Sequence, residues 1–289
     1  MTVASSADVL GRVRRYDHIV DTLILERAPK LSGTPLWPLI RPLLYRILDY
    51  DKARRLAAAI APLPGRIALE HVSKLLALKV SATGFEQIPR KGRLVVVCNH
   101  PTGIADGVAV YDALKAIRPD LCFYANSDAH RIAPRLAEVL IPVEWVEAKR
   151  TRERTRATLL LTKQALEAER CLVIFPAGRL ARRRNGVLTD LAWAPSAVSL
   201  ARRHEAPVAP IHVAGPWSGL FHFFDRFSPE LRDVTLFHEL LNKEGRAFSL
   251  AAGPIIPPEA LAGEAAEVAE RLKVYVERTL PRDPAQPFA

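Results

Sequence analysis

Asn99-His100-Pro101-Thr102-Gly103-Ile104-Ala105-Asp106-Gly107 follows the apolar run Leu94-Val95-Val96-Val97-Cys98 and precedes a segment in which Val110, Ala113, Leu114 and Ile117 share one helical face. The run reads as a buried strand and the spacing after it as a helix. The loop between them then lies at the carboxyl end of a sheet, where α/β proteins bind ligands. It carries a histidine and, after five intervening residues, an aspartate. A carboxylate beside an imidazole fixes the tautomer and stabilises the imidazolium, the least that is needed to take a proton from a hydroxyl. Taken alone, the pair has a second reading, with Asp106 as the N-cap of the helix and His100 as a loop residue bonded to backbone.

A second stretch favours the chemical reading. Cys171-Leu172-Val173-Ile174 is another short apolar strand, and it ends in Phe175-Pro176-Ala177-Gly178-Arg179, followed by Arg182, Arg183 and Arg184. Arginine suits an anionic group because its fork of donors pairs bidentately and stays charged. A third buried run spans Pro207-Val208-Ala209-Pro210-Ile211-His212-Val213.

Together these stretches resemble the glycerolipid acyltransferase superfamily, the lysophosphatidate-type enzymes and their hemolysin-like bacterial relatives. Residues 99–106 are similar to its Asn-His-Asp motif, 175–179 to its Phe-Pro-Glu-Gly-Thr-Arg motif and 207–210 to its Val-Pro-hydrophobic-Pro motif, in that order. The similarity runs over residues 80–257 and takes in 239–245 and 253–257, which look like the family's closing helix and strand. The sequence departs from the common pattern twice. One additional residue separates His100 from Asp106, and Gly103 has the backbone freedom to absorb it. Ala177 stands where the motif has glutamate. Both departures look like the hemolysin-like branch, and the second leaves the acceptor open.

The resemblance implies transfer of a fatty acyl group from a thioester, acyl-CoA or acyl-ACP, to the hydroxyl of a lysophospholipid such as 1-acyl-glycerol-3-phosphate. A lyso-ornithine lipid or another non-phosphate lysolipid is the alternative acceptor. His100 is the expected base and Asp106 its orienting partner. Asn99, Gly103, Gly178, Arg179, Arg182 and Arg183 are the expected substrate-binding residues. Backbone N–H groups near Gly103–Gly107, with Gly178, are candidates for holding the tetrahedral oxyanion. No metal and no further cofactor is expected.

The net charge of +10 points to an anionic partner: nucleic acid, a membrane surface or a charged substrate. Stacking on nucleic acid would call for aromatics among the basic residues. Residues 179–184 contain none, and aromatics gather instead at 217–227, which counts against nucleic acid as the partner; a basic nucleic-acid-binding protein or a non-catalytic lipid-binding relative stays as the alternative of a different class. Cys98, Cys122 and Cys171 lie in apolar runs without metal-ligand spacing and read as core thiols, with Cys98 also a conceivable nucleophile. Residues 1–20 lack the apolar core of a signal peptide, and no run reads as a spanning helix. The expectation is peripheral association with the cytoplasmic face of the cell membrane.

Residues 1–79 read as helical and precede the sheet. Within them, 36–50 mixes apolar bulk with Arg41 and Arg46, and suits either an interfacial segment or a helical cap on the sheet. Pro38 and Pro42 argue against one straight helix there, with Pro42 a possible start. From residue 80 to 289, strands alternate with helices, which implies an α/β domain with a largely parallel mixed sheet flanked by helices. Helices are expected at 107–117, 128–139, 153–168, 196–203, 231–242 and 258–280, and a short strand at 141–146. Ala157, Leu160, Leu161, Ala165 and Ala168 are expected to face inward. Residues 149–156 form the strongest basic run, a phosphate patch or a solvated helix start. Asp128 reads as an N-cap, His130 and Arg131 as candidates to line the site, and His212 as a core histidine.

Overall fold

The computed structural model describes residues 18–144, 150–184, 186–217 and 219–289. Its first part is helical: α1 (Ile19–Arg27), α2 (Pro29–Ser32), α3 (Trp37–Ile47), α4 (Tyr50–Ile60) and α5 (Gly65–Leu76). α3 runs through Pro42 rather than starting there. Proline inside a helix forfeits the bond to the carbonyl four residues back. Burial of Trp37 and Leu44, with Leu48 just beyond, holds the helix together across the gap.

The remaining elements are β1 (Lys79–Thr83), β2 (Leu94–Cys98), α6 (Ile104–Leu114), β3 (Leu121–Asn126), α7 (Asp128–Ile132), β4 (Leu140–Val143), α8 (Arg152–Glu167), β5 (Cys171–Ile174), β6 (Arg182–Arg184), β7 (Val187–Thr189), α9 (Ser196–Arg203), β8 (Val208–Ala214), α10 (Gly219–Asp225), α11 (Pro229–Val234), α12 (Leu236–Leu241), β9 (Ala247–Ala252) and α13 (Ala265–Val274), which continues as a π-helical turn through Tyr275–Thr279. Seven strands form one sheet in the order β1-β9-β8-β2-β5-β3-β4. Every pair in it is parallel except β8 with β9. β6 and β7 form a separate antiparallel hairpin.

The order decides where chemistry can occur. β2 lies between β5 and β8, so the three motif-bearing strands are neighbours and their carboxyl ends open on one edge. Side chains alternate across β2. Leu94, Val96 and Cys98 join the core shared with α1 and α3–α6, whereas Val95 and Val97 join the core beneath α8, α9 and α13. The result is helices, sheet and helices in three layers.

Several elements differ from the sequence reading. Pro134 divides the expected helix over 128–139 into α7 and a 3-10 turn at Pro134–Glu138. The expected helix over 231–242 is two helices, α11 and α12. The 258–280 segment opens as a 3-10 turn at Pro258–Leu261 before α13. The hairpin β6–β7 and helix α10 were not anticipated. β4 ends at Val143, and residues 145 and 146 of the expected strand lie outside the described residues, as does Lys149 of the basic run. On α8 the buried residues are Thr162, Ala165 and Leu166, while Leu160 and Leu161 are exposed. Threonines explain the rotation: Thr158 donates to the Pro142 carbonyl at 2.6 Å and Thr162 bonds the Tyr124 hydroxyl at 2.7 Å. A polar residue that satisfies itself against the sheet faces inward without an apolar signal.

Candidate active site

His100 sits two residues beyond the end of β2, and its position is fixed from several sides. Asn99 comes first. Its side-chain amide donates to the Val213 carbonyl at 2.9 Å and accepts the Val213 N–H at 2.7 Å, continuing the pairing of β2 with β8 past the last strand residue. Asn99, expected at the substrate, thus has both ends of its amide engaged with backbone.

Nδ1 of His100 lies 2.8 Å from Oδ2 of Asp106, a fully buried carboxylate. The same Oδ2 accepts the N–H groups of Thr102 at 2.9 Å and Gly103 at 3.0 Å, and Oδ1 accepts the Thr102 hydroxyl at 2.6 Å. Asp106 is the third residue of α6, and the N-cap is Gly103. The capping reading is therefore corrected in position: the aspartate reaches back from inside the helix and holds histidine and loop together. Engagement of Nδ1 leaves Nε2 for a substrate. The imidazole also packs against Phe175, with ring centroids 4.5 Å apart.

The backbone of His100 is held as well. Its carbonyl accepts the Ala181 N–H at 2.9 Å. Its N–H donates to Asp190, 3.0 Å from Oδ1 and 3.2 Å from Oδ2. Asp190 is buried, and its Oδ2 also accepts the indole N–H of Trp193 at 2.9 Å. Burial pushes its carboxyl up to about 7, against the opposing pull of those two donors. The sequence reading missed Asp190 and Trp193. No spacing links them to a histidine ninety residues away, because the contact is to a backbone N–H.

The glycines are conformational. Gly103 has φ of +108°, and a Cβ there would sit 3.1 Å from the Leu180 side chain. Gly178 has φ of +62°, and its N–H closes a turn on the Phe175 carbonyl at 2.9 Å. The N–H groups of Gly103 and Gly178 are thus both occupied, as is that of Thr102, which removes them as oxyanion donors. Among the described residues, the N–H groups of Ile104 and Ala105 in the first turn of α6 have no acceptor.

The arginines divide. Arg179 is exposed at the turn after β5. Arg182 is half-buried, pairs with Asp225 at 3.2 Å and lies 5.0 Å over the Phe221 ring. Arg183 lies 5.0 Å over the Trp217 ring. Arg182 thereby fastens α10 to the hairpin.

Other candidates fall away from the site. Cys98 is fully buried, and burial raises its thiol well above the usual range, so it is an inert core thiol. His130 donates to the Leu140 carbonyl at 3.2 Å, and Arg131 pairs with Glu26 and Asp128. Asp128 is the first residue of α7, with Ser127 as the N-cap, and it binds Arg27 at 2.8 Å. His212 donates to the Val276 carbonyl at 2.9 Å as a core histidine. Among the described residues, no three His, Cys, Asp or Glu side chains are arranged to hold a metal ion.

Comparison with known proteins includes one match over the region that holds the site. The family model described as Acyltransferase matches residues 79–214. A lyso-glycine lipid O-acyltransferase of Bacteroides thetaiotaomicron is 28% identical over 195 residues, covering 65% of this chain and 70% of the relative. A protein of the same name from Phocaeicola vulgatus is 27% identical over 199 residues, covering 65% and 68%. Among solved structures, the 1-acyl-sn-glycerophosphate acyltransferase of Thermotoga maritima covers 92% of this chain and 95% of its own, with a TM-score of 0.47 and 15% identity. The family match spans both the histidine–aspartate loop after β2 and the arginine turn after β5, and over these residues the chain is similar to that acyltransferase family.

Proposed function

We propose that the protein transfers an acyl group from a thioester, acyl-CoA or acyl-ACP, to the hydroxyl of a lysolipid with an anionic headgroup. One observation carries this reading: His100 Nδ1 is 2.8 Å from a carboxylate that three further donors hold in place. An imidazole so fixed presents Nε2 as a base. Nε2 takes the hydroxyl proton, the oxygen attacks the thioester carbonyl carbon, and a tetrahedral oxyanion forms. Collapse breaks the C–S bond, and the imidazolium returns its proton to the leaving thiolate. Asp106 balances the imidazolium charge throughout. The N–H groups of Ile104 and Ala105 are the donors proposed for the oxyanion.

Arg179 is the residue proposed to hold the headgroup, since it is exposed and next to the site. The relatives named for lyso-glycine lipids favour an amino-acid headgroup, whose carboxylate suits a guanidinium as a phosphate does. The phosphate acceptor, 1-acyl-glycerol-3-phosphate, is the second reading.

Such a site must reach a bilayer, and among the described residues no helix is long and apolar enough to cross one. α3 supports peripheral docking. Leu36 at its N-cap, then Leu39, Leu43 and Ile47, form one stripe that is 59, 76, 63 and 45% exposed. The opposite face is core, and Arg41 and Arg46 lie between. Apolar residues flanked by arginine suit the surface of an anionic leaflet, as on the cytoplasmic side of a cell membrane.

The test is incubation with lyso-glycine lipid, lyso-ornithine lipid and 1-acyl-glycerol-3-phosphate, each with palmitoyl-CoA or palmitoyl-ACP, read by mass spectrometry. At least one acylated product is expected, together with a fall of about 100- to 10,000-fold in folded His100→Ala. Undiminished turnover in that variant would refute the base assignment.

A further inference from the structure

The carboxylate of Asp190 has no access to a substrate. It is buried, and its two oxygens are taken by the His100 N–H and the Trp193 indole N–H. Its own N–H donates to Oε1 of Glu277 at 2.6 Å. Oε2 of Glu277 accepts the Thr189 hydroxyl at 2.8 Å and pairs with Lys273 at 3.2 Å. A chain of contacts therefore runs from the C-terminal helical segment through Asp190 to the backbone of His100. A buried carboxylate is costly, and here every donor it meets either belongs to His100 or orients the group that holds His100.

We propose that Asp190 is a positioning residue for acyl transfer, holding the His100 main chain so that the imidazole keeps its place between Asp106 and the acceptor hydroxyl. The proposal rests on His100 being the base. Its basis is geometric: His100 leaves the end of β2 on a loop, and Ala181 and Asp190 grip its carbonyl and N–H from opposite ends of the segment that contains the β6–β7 hairpin. Displacing a reacting group by about 1 Å can cost on the order of 100-fold in rate.

The partners supply a discriminating experiment. Asp190 meets two donors, so Asp190→Asn must turn its NH2 toward one of them, leaving either His100 or Trp193 facing a donor. Trp193→Phe removes the indole donor, and in the double variant the Asn oxygen is free to accept from His100. Rates are measured with palmitoyl-CoA and a mixture of lyso-glycine lipid and 1-acyl-glycerol-3-phosphate. Exchange protection of the His100 amide gives a second readout that needs no acceptor. For Asp190→Asn, kcat is expected to fall about 10- to 100-fold with the thioester KM unchanged and the His100 amide exchanging faster. The double variant should recover most of both, measured against Trp193→Phe alone. A double variant no faster than Asp190→Asn, or an Asp190→Asn protein with normal kcat and normal protection, overturns the proposal. If Asp190→Asn does not fold, the double variant alone decides, because folding, protection and a kcat near that of Trp193→Phe are all required of it. Normal turnover in His100→Ala would refute the base assignment instead, and the amide-exchange arm keeps the two failures distinct.

Discussion

Asp106 meets His100 through Oδ2 alone, 2.8 Å from Nδ1, while its Oδ1 faces the Thr102 hydroxyl at 2.6 Å. The division of labour matters for substitution. In Asp106→Asn, the amide oxygen can occupy the Oδ2 position and keep its three donors. The NH2 then faces a hydroxyl that can turn to accept. Geometry and helix start survive, and only the charge is lost. The expected outcome is a melting temperature within a few degrees of the parent and a rate at least about 100-fold lower. Thermal unfolding and turnover measured on one preparation check both halves. A variant that keeps its rate would return Asp106 to a purely structural role.

Arg179 and Arg182 separate in a second test. Arg179→Ala removes an exposed guanidinium, so stability should hold while the acceptor KM rises about 10- to 100-fold and the thioester KM stays put. Arg182→Ala removes the Asp225 pair and the contact with Phe221, and should cost about 1–2 kcal/mol of stability. Steady-state kinetics with each substrate varied in turn, beside a urea titration, distinguish the two.

Docking through α3 is tested by substitution rather than deletion. Removing residues 36–50 would take out Trp37, Leu44 and Leu48, which are core. Replacing Leu36, Leu39, Leu43 and Ile47 together with glutamine alters only the exposed stripe. Each apolar side chain is worth roughly 1.5–3 kcal/mol when fully transferred from water. Vesicle affinity should therefore fall at least about 100-fold with the fold intact. Added salt should weaken binding of the parent only in part, since screening acts on the charges. Unchanged co-sedimentation by the variant would make the stripe a passive surface.

Asp190 predicts a pH dependence of stability. Its folded pKa, about 7, lies above the ordinary value of 3.8. The folded state therefore holds a proton that the unfolded chain has released, and this contribution to stability is full below about 4 and is lost as pH rises through about 7. Glu277, with Lys273 behind it, and His100 are the charged and titratable groups that face it. Unfolding midpoints at pH 5 and pH 8 should fall more steeply in the parent than in Asp190→Asn. Parallel slopes would mean that Asp190 is ionised across the whole range.

Legibility of the site in the sequence follows contact distance along the chain. His100 and Asp106 are six residues apart on a strand–loop–helix unit, so pattern alone brought them together. Phe175 and the arginine turn are legible because β5 ends beside β2. Asp190 is not, because it grips a backbone N–H, and any residue at position 100 other than proline would offer the same donor. The β6–β7 hairpin hides inside an arginine run, and α10 was read as loop because Gly215, Pro216 and Gly219 crowd its start. On α8, threonines took the inward face that leucines were expected to take. For Asp190 and for α8 a hydrogen bond decided the outcome where apolar periodicity gave no guide.

The edge strand β1 draws a different consequence from the topology. Among the described residues it pairs with β9 and no other strand, from Lys79 opposite Ala247 to Thr83 opposite Ala251. A ribosome makes β1 long before β9, so through most of translation β1 has no partner for its ladder. A chain halted before residue 247 would carry the exposed apolar stripe of α3 together with an unpaired strand edge, and unpaired edges recruit other chains. Such fragments should therefore clump, and at a lipid surface if α3 docks as proposed. Completion of β9 is the step that ends this exposure.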